Sequence, residues 1–149
     1  MSIKINYSNK VSSKSSNNLV LFTEENFNIN GLKKYISNVE FSYINDLLKN
    51  SDLKKNFHFF EVNSKKTIFL VSVKKNLEVS DIEGLGAEFY SYINYSKKGD
   101  FFINSDTISN KSENFLGYFL HGLKLKSYEF NIYKSKKDKK TILINVIRD

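Results

Sequence analysis

The sequence predicts an α/β chain, a three-layer α/β/α domain in which helices cover both faces of a mixed sheet. Three observations lead there. Short strand-like runs and longer amphipathic stretches alternate in the order β, β, α, β, β, α, β, α, β. Each amphipathic stretch opens on a Ser or Asn with a Glu three residues later, the spacing of a helix capping box. The chain has 149 residues, 40% apolar and 15% aromatic, enough to bury one core. It shows no internal repeat and contains no proline that could mark a hinge, so residues 1–149 read as a single domain.

The elements follow in chain order. "IKINY" (3–7) alternates apolar and polar residues, as a half-buried strand does, and the Ser/Asn/Lys-rich stretch 8–18 reads as a loop. "LVLF" (19–22) is a continuous apolar run typical of an interior strand, followed by a polar stretch to about residue 36. Ser37 and Glu40 have capping-box spacing, and behind them Val39, Tyr43, Ile44, Leu47 and Leu48 fall on one helical face. "FHFFEV" (57–62) and "TIFLVSV" (67–73) read as two strands of a hairpin joined through "NSKK". Ser80 and Glu83 form a second box ahead of Ile82, Leu85, Gly86, Phe89 and Ile93. Gly99 then suits a left-handed helix end before the strand "DFFIN" (100–104). Asn110 and Glu113 announce a third helix with the stripe Phe115, Leu116, Phe119, Leu120 and Leu123, and "TILINVI" (141–147) reads as a last strand.

The formal charge is +7 and the pI about 9.4, a footprint compatible with a polyanionic partner. Arg148 is the only arginine, however, and bidentate reading of phosphate or guanine favours arginine over lysine. The absence of cysteine excludes disulfides and thiolate metal sites. "MSIKINYSNK" lacks the apolar centre of a signal peptide, and no apolar run reaches the length of a membrane span. The expectation is a cytoplasmic chain with no membrane partner.

Chemistry is sparse. The two histidines, His58 and His121, stand apart, and no H-x-x-x-H or D-x-D spacing occurs. Glu24 and Glu25 lie in the polar stretch, Asp81 and Glu83 in a helix's first turn where negative charge suits the macrodipole, and Asp100 and Asp106 flank a strand. Capping and solvation account for these acids without general acid–base work. No serine stands in a nucleophile elbow. "EGLGAEF" (83–89) is not a phosphate loop, because position 89 is Phe and the segment is helix-periodic; Gly84 and Gly86 read as allowing close packing of helix on sheet. No catalytic, cofactor-binding or metal-ligating residue is read.

The remaining feature is "LHGLKLKSYEFNIYKSKKDKK" (120–140). The helical stripe continues through Tyr128, Phe130, Ile132 and Tyr133 and ends in Lys134, Lys136, Lys137, Lys139 and Lys140. These lysines read as a solvated turn into the last strand. The rival reading is an anion-binding surface for nucleic acid, with Tyr128 and Tyr133 as stacking platforms.

This segment, followed by "TILINVI", resembles the end of the N-terminal domain of the leucyl (cytosol) aminopeptidase family. There a helix of the flavour E-G-x-x-L-x-x-Y-x-F-x-x-Y-K-x-K-K leads into the domain's last strand. The positions that match are Gly122, Leu125, Tyr128, Phe130, Tyr133, Lys134, Lys136 and Lys137. The upstream order of elements fits as well. Two departures stand out: "KKN" replaces a Gly-rich turn after "FLVSV", and His121 replaces the acid before the helix glycine. The resemblance implies a macro-domain-like fold without catalytic residues of its own. Two divalent metals, Mn or Zn, would sit in a C-terminal catalytic domain of the same parent, a peptide-cleaving homo-hexamer. In some bacterial relatives the N-terminal domain contributes to DNA binding. The rival to an accessory domain is a free-standing macro-like module that binds nucleotide or nucleic acid through the lysines.

Overall fold

A computed structural model of the chain describes residues 2–8, 17–74, 76–94, 99–108, 114–133 and 141–147. Six strands form one sheet: β1 (Ser2–Ser8), β2 (Asn18–Glu24), β3 (Phe57–Glu61), β4 (Thr67–Val73), β5 (Asp100–Asn104) and β6 (Thr141–Ile147). The helices are α1 (Asn38–Leu48), α2 (Val79–Asn94) and α3 (Phe115–Tyr133). The expected order of elements and the three-layer α/β/α class are both observed. The sheet runs β1-β6-β5-β2-β4-β3, all parallel except the antiparallel β3–β4 hairpin.

Interior strands are apolar on both faces because helices cover both. Every residue of β4 is buried, and all of β2 except Glu24. Alternation then divides the side chains between two cores. Val20, Phe22, Val71, Phe101 and Ile144 point to one face, where Ile82, Phe89, Phe119 and Leu123 of α2 and α3 cover them. Leu19, Leu21, Ile68 and Leu70 point to the other, covered by Ile44 and Leu48 of α1 and by the segment after β2. Each such fully buried side chain contributes about 1.5–3 kcal/mol.

Helix boundaries show where side-chain chemistry wins and where position overrides it. The Ser37 hydroxyl accepts from the Glu40 N–H at 3.1 Å, and the Glu40 carboxylate accepts from the Ser37 N–H at 2.9 Å, so the first capping box forms as spaced. The expected face of α1 is corrected. Ile44 and Leu48 are buried, but Val39 is 80% exposed and Tyr43 and Leu47 also face outward. The buried stripe is Phe41–Ile44–Leu48, with Phe41 partly buried against the core. The second box is corrected too: α2 begins at Val79, and Asp81, not Glu83, takes the Glu78 N–H at 3.0 Å. The third signal, Asn110 and Glu113, lies outside the described residues. Gly99 does not adopt a left-handed conformation; its carbonyl accepts from the Leu143 N–H at 2.7 Å at the start of the β5–β6 pairing.

The glycines of α2 act differently from expectation. A Cβ on Gly84 would meet nothing within 4 Å, while Gly86 abuts the backbone of α3 at Phe119, and Gly122 of α3 abuts α2 at Glu83. The close packing is therefore helix on helix, made by one glycine from each partner.

Candidate functional site: a crevice at the strand ends

The chain leaves β2 toward α1 on one face of the sheet and leaves the adjacent β5 toward α3 on the other. Neighbouring parallel strands whose exits diverge in this way open a crevice at their carboxyl ends, where open α/β sheets bind ligands. A crevice of about 650 Å³ lies there. Phe22, Thr23 and Val73 line its base, Glu24 to Tyr35 supply one wall, and Asp106, Thr107 and Ile108 the other.

The first wall carries single turns of 3-10 helix at Glu25–Phe27 and Asn30–Leu32. This stretch reads as polar in the sequence, yet Phe27, Ile29, Leu32, Tyr35 and Ile36 are buried and pin it to the second core. The polar residues before and between those anchors, Glu24, Glu25, Asn28, Asn30 and Lys34, stay exposed. Phe27 has φ 54°, a left-handed conformation that strains a residue with a Cβ by about 1–2 kcal/mol. Burial of its ring, edge-on to His58 with centroids 4.6 Å apart, holds that conformation. The His58 Nε2–H in turn donates to the Asp52 carbonyl at 2.7 Å. His58 thus serves to position the wall.

The second wall is fixed to the sheet. The Thr107 hydroxyl donates to the Asn104 carbonyl at 2.8 Å and accepts from the Phe22 N–H at 3.0 Å, tying β5's exit to β2. The Asp106 N–H donates to the Asn104 side chain at 2.8 Å, and the Ser105 hydroxyl to the Ile147 carbonyl at 3.1 Å. Among the described residues that line the crevice, Glu24, Glu25, Asp106 and Lys34 are the charged ones.

The other sequence candidates are not brought together. Lys134, Lys136, Lys137, Lys139 and Lys140 lie outside the described residues. Tyr128 is 61% exposed on α3. Glu83 pairs with His121 across the α2–α3 crossing, and Asp100 sits at the opposite end of the sheet, where its carbonyl accepts from the Asn18 side chain at 2.7 Å. Among the described residues no three His, Asp or Glu side chains converge as metal ligands. Nor is any helix there long and apolar enough to cross a membrane. Sequence reading missed the crevice because Glu24 and Asp106 are far apart along the chain. Only the strand order brings them to one site.

The structure defines a three-layer α/β/α fold with a preformed crevice at its topological switch point. No family model matches the sequence, and no curated protein does. Among solved structures, the chain is similar to a mutant form of tomato leucine aminopeptidase, with a TM-score of 0.64 and 16% sequence identity. The match covers 97% of this chain and 32% of the tomato chain, so this chain spans about a third of that protein's length.

Proposed function

We propose that this chain is a non-catalytic N-terminal domain of a larger leucyl aminopeptidase, serving assembly or regulation of the parent enzyme. One observation carries the reading: the fold of nearly the whole chain corresponds to about a third of a leucine aminopeptidase. The aromatic and lysine positions from Gly122 to Lys137 support the same family by their spacing. On this reading the parent is a cytoplasmic homo-hexamer that removes N-terminal residues from peptides. Its two divalent metals, Mn or Zn, are held by the catalytic domain, which is the other partner of this domain. The described residues here offer no set of ligands that would hold them.

The test is direct. The purified chain should release no p-nitroaniline from leucyl-p-nitroanilide with Mn²⁺ or Zn²⁺ added, and calorimetry should detect no tight uptake of either ion. Metal-dependent turnover by the pure chain would overturn the proposal. The rival reading, a module that binds nucleic acid through the lysine-rich segment, draws on the exposed Tyr128 on α3 shortly ahead of that segment.

A further inference from the structure

We propose that the β3 edge of the sheet pairs with β3 of a second copy of this chain, antiparallel about a two-fold axis at Phe59. The inference concerns the chain by itself and stands whether or not the aminopeptidase reading does.

The backbone comes first. β3 is an end strand of the sheet, and its antiparallel ladder with β4 runs from Phe57 to Glu61 without a bulge. The Asn56 carbonyl accepts from the Ser72 N–H at 2.8 Å, and the Val62 N–H donates to the Lys66 carbonyl at 3.0 Å. By alternation the even-numbered residues between them hydrogen-bond to β4, and the N–H and C=O groups of Phe57, Phe59 and Glu61 point away from it. Such a row is a template for another strand unless lysine, proline or a bulge guards it. At the far edge of the sheet β1 carries the exposed Lys4. β3 contains neither lysine nor proline.

The side chains then select the occupant. Phe59 is 53% exposed in the middle of β3, and its ring lies 5.7 Å from that of Tyr92 on α2, itself 40% exposed. Two large rings side by side in water mark an interaction surface. Exposed Lys55 stands just ahead of β3 and exposed Glu61 ends it. Neither has an ion-pair partner among the described residues. A two-fold axis at Phe59 sets that ring beside the partner's Phe59 and brings Lys55 diagonal to the partner's Glu61, once at each end. Parallel pairing in register would instead set Glu61 beside the partner's Glu61. The charges of β3 are thus complementary to those of its own reversed copy. The antiparallel pair engages Phe57, Phe59 and Glu61 of both strands in about six backbone hydrogen bonds. It is also closed, because each β3 is then covered and the edges that remain are those carrying Lys4.

Sedimentation equilibrium of the purified chain tests this, at moderate salt to screen the repulsion between two chains of charge +7. It should show a reversible monomer–dimer equilibrium between about 10 µM and 1 mM, with no larger species. Phe59→Lys places like charges together at the axis and should weaken the dimer about tenfold or more, while dilute protein stays folded by circular dichroism. Lys55→Glu and Glu61→Lys each oppose like charges at both ends and should each weaken it about threefold or more. The double exchange, Lys55→Glu with Glu61→Lys, should recover the original affinity, a result that a merely structural role for either residue would not give. A chain that stays monomeric throughout would overturn the proposal. So would a dimer indifferent to Phe59→Lys, growth beyond the dimer, or a double exchange that leaves the affinity of the single variants unimproved.

Discussion

The close contact between α2 and α3 supports a quantitative prediction. A Cβ at Gly86 would stand 2.8 Å from the Phe119 carbonyl carbon and 3.0 Å from the Leu123 nitrogen. One at Gly122 would stand 2.6 Å from the Glu83 carbonyl carbon and 2.7 Å from its Cα. Carbon atoms in contact sit about 3.5–4.0 Å apart, so either alanine requires the helices to part by about 0.7 Å or more. The obstacle is backbone in both cases and has no rotamer to turn. Parting the helices loosens Phe89 against Phe119, whose rings lie 5.7 Å apart, and the neighbouring Leu85 and Leu123. Two effects oppose each other. Alanine gains about 1 kcal/mol over glycine in a helix interior, whereas overpacking costs about 1–3 kcal/mol, and the looser packing of the opened layer adds to that cost. The clash should win, with Gly86→Ala and Gly122→Ala each destabilising by about 1–2 kcal/mol net of the alanine gain. At this size that lowers the melting temperature by about 2–8 °C. The double variant should cost less than the sum, because one separation relieves both clashes. Gly84→Ala is the control: with nothing near its Cβ it should stabilise by about 0.5–1 kcal/mol. Urea denaturation followed by circular dichroism measures all four. A Gly86→Ala protein as stable as Gly84→Ala would refute the close crossing.

Further outcomes follow from single contacts. Glu40 Oε2 lies 3.0 Å from Lys66 Nζ with both side chains largely buried. Burial pushes the Glu40 pKa up, but the Ser37 N–H and the Lys66 ammonium outweigh it and hold the carboxyl below its ordinary value. A depressed folded pKa stabilises above the unfolded value and is lost as pH falls through the folded one. Lys66→Met should therefore flatten the acid limb of urea stability below about pH 4.5, and at neutral pH it should cost about 1–3 kcal/mol. Ser37→Ala removes one arm of the α1 box and should cost about 1 kcal/mol in the same assay. Burial, then the Glu88 charge, raises the Tyr92 pKa, so Glu88→Gln should bring its phenolate absorbance transition down without returning it fully to the ordinary value. If the chain binds single-stranded DNA in a salt-sensitive way, Ser at Lys136, Lys137, Lys139 and Lys140 should remove that binding; unchanged affinity would exclude the segment as the grip.

What the sequence made legible is what local patterning controls. Element order followed from period-2 and period-3.6 runs, and the α1 boundary from Ser37 and Glu40, because those signals act within a few residues. The readings that failed needed long-range information. Which face of α1 is buried depends on how the helix lies over β2 and β4, and Phe41, Ile44 and Leu48 compete with Val39, Tyr43 and Leu47 for an equally regular stripe. Gly84 and Gly86 are indistinguishable by spacing, yet only one meets α3, since the crossing point is set by two helices docking on the same sheet. The segment from Glu24 to Tyr35 looks polar because its buried anchors follow no single period. It is wound through short 3-10 turns and one left-handed phenylalanine, and such backbone has no amphipathic signature.

Charge shows the same division between local and global. Of the net +7, residues 134–140 alone contribute +4, from five lysines and one aspartate. A reading of net charge is therefore largely a reading of that one segment. The exits of β2 and β5 also carry acids, Glu24 and Glu25 on one and Asp106 on the other, and the switch point places those exits side by side. Net charge and the acids at the strand exits are separable by experiment: if the lysine-rich segment is what binds DNA, Glu24→Gln should leave that binding unchanged, while Ser at Lys136, Lys137, Lys139 and Lys140 should remove it.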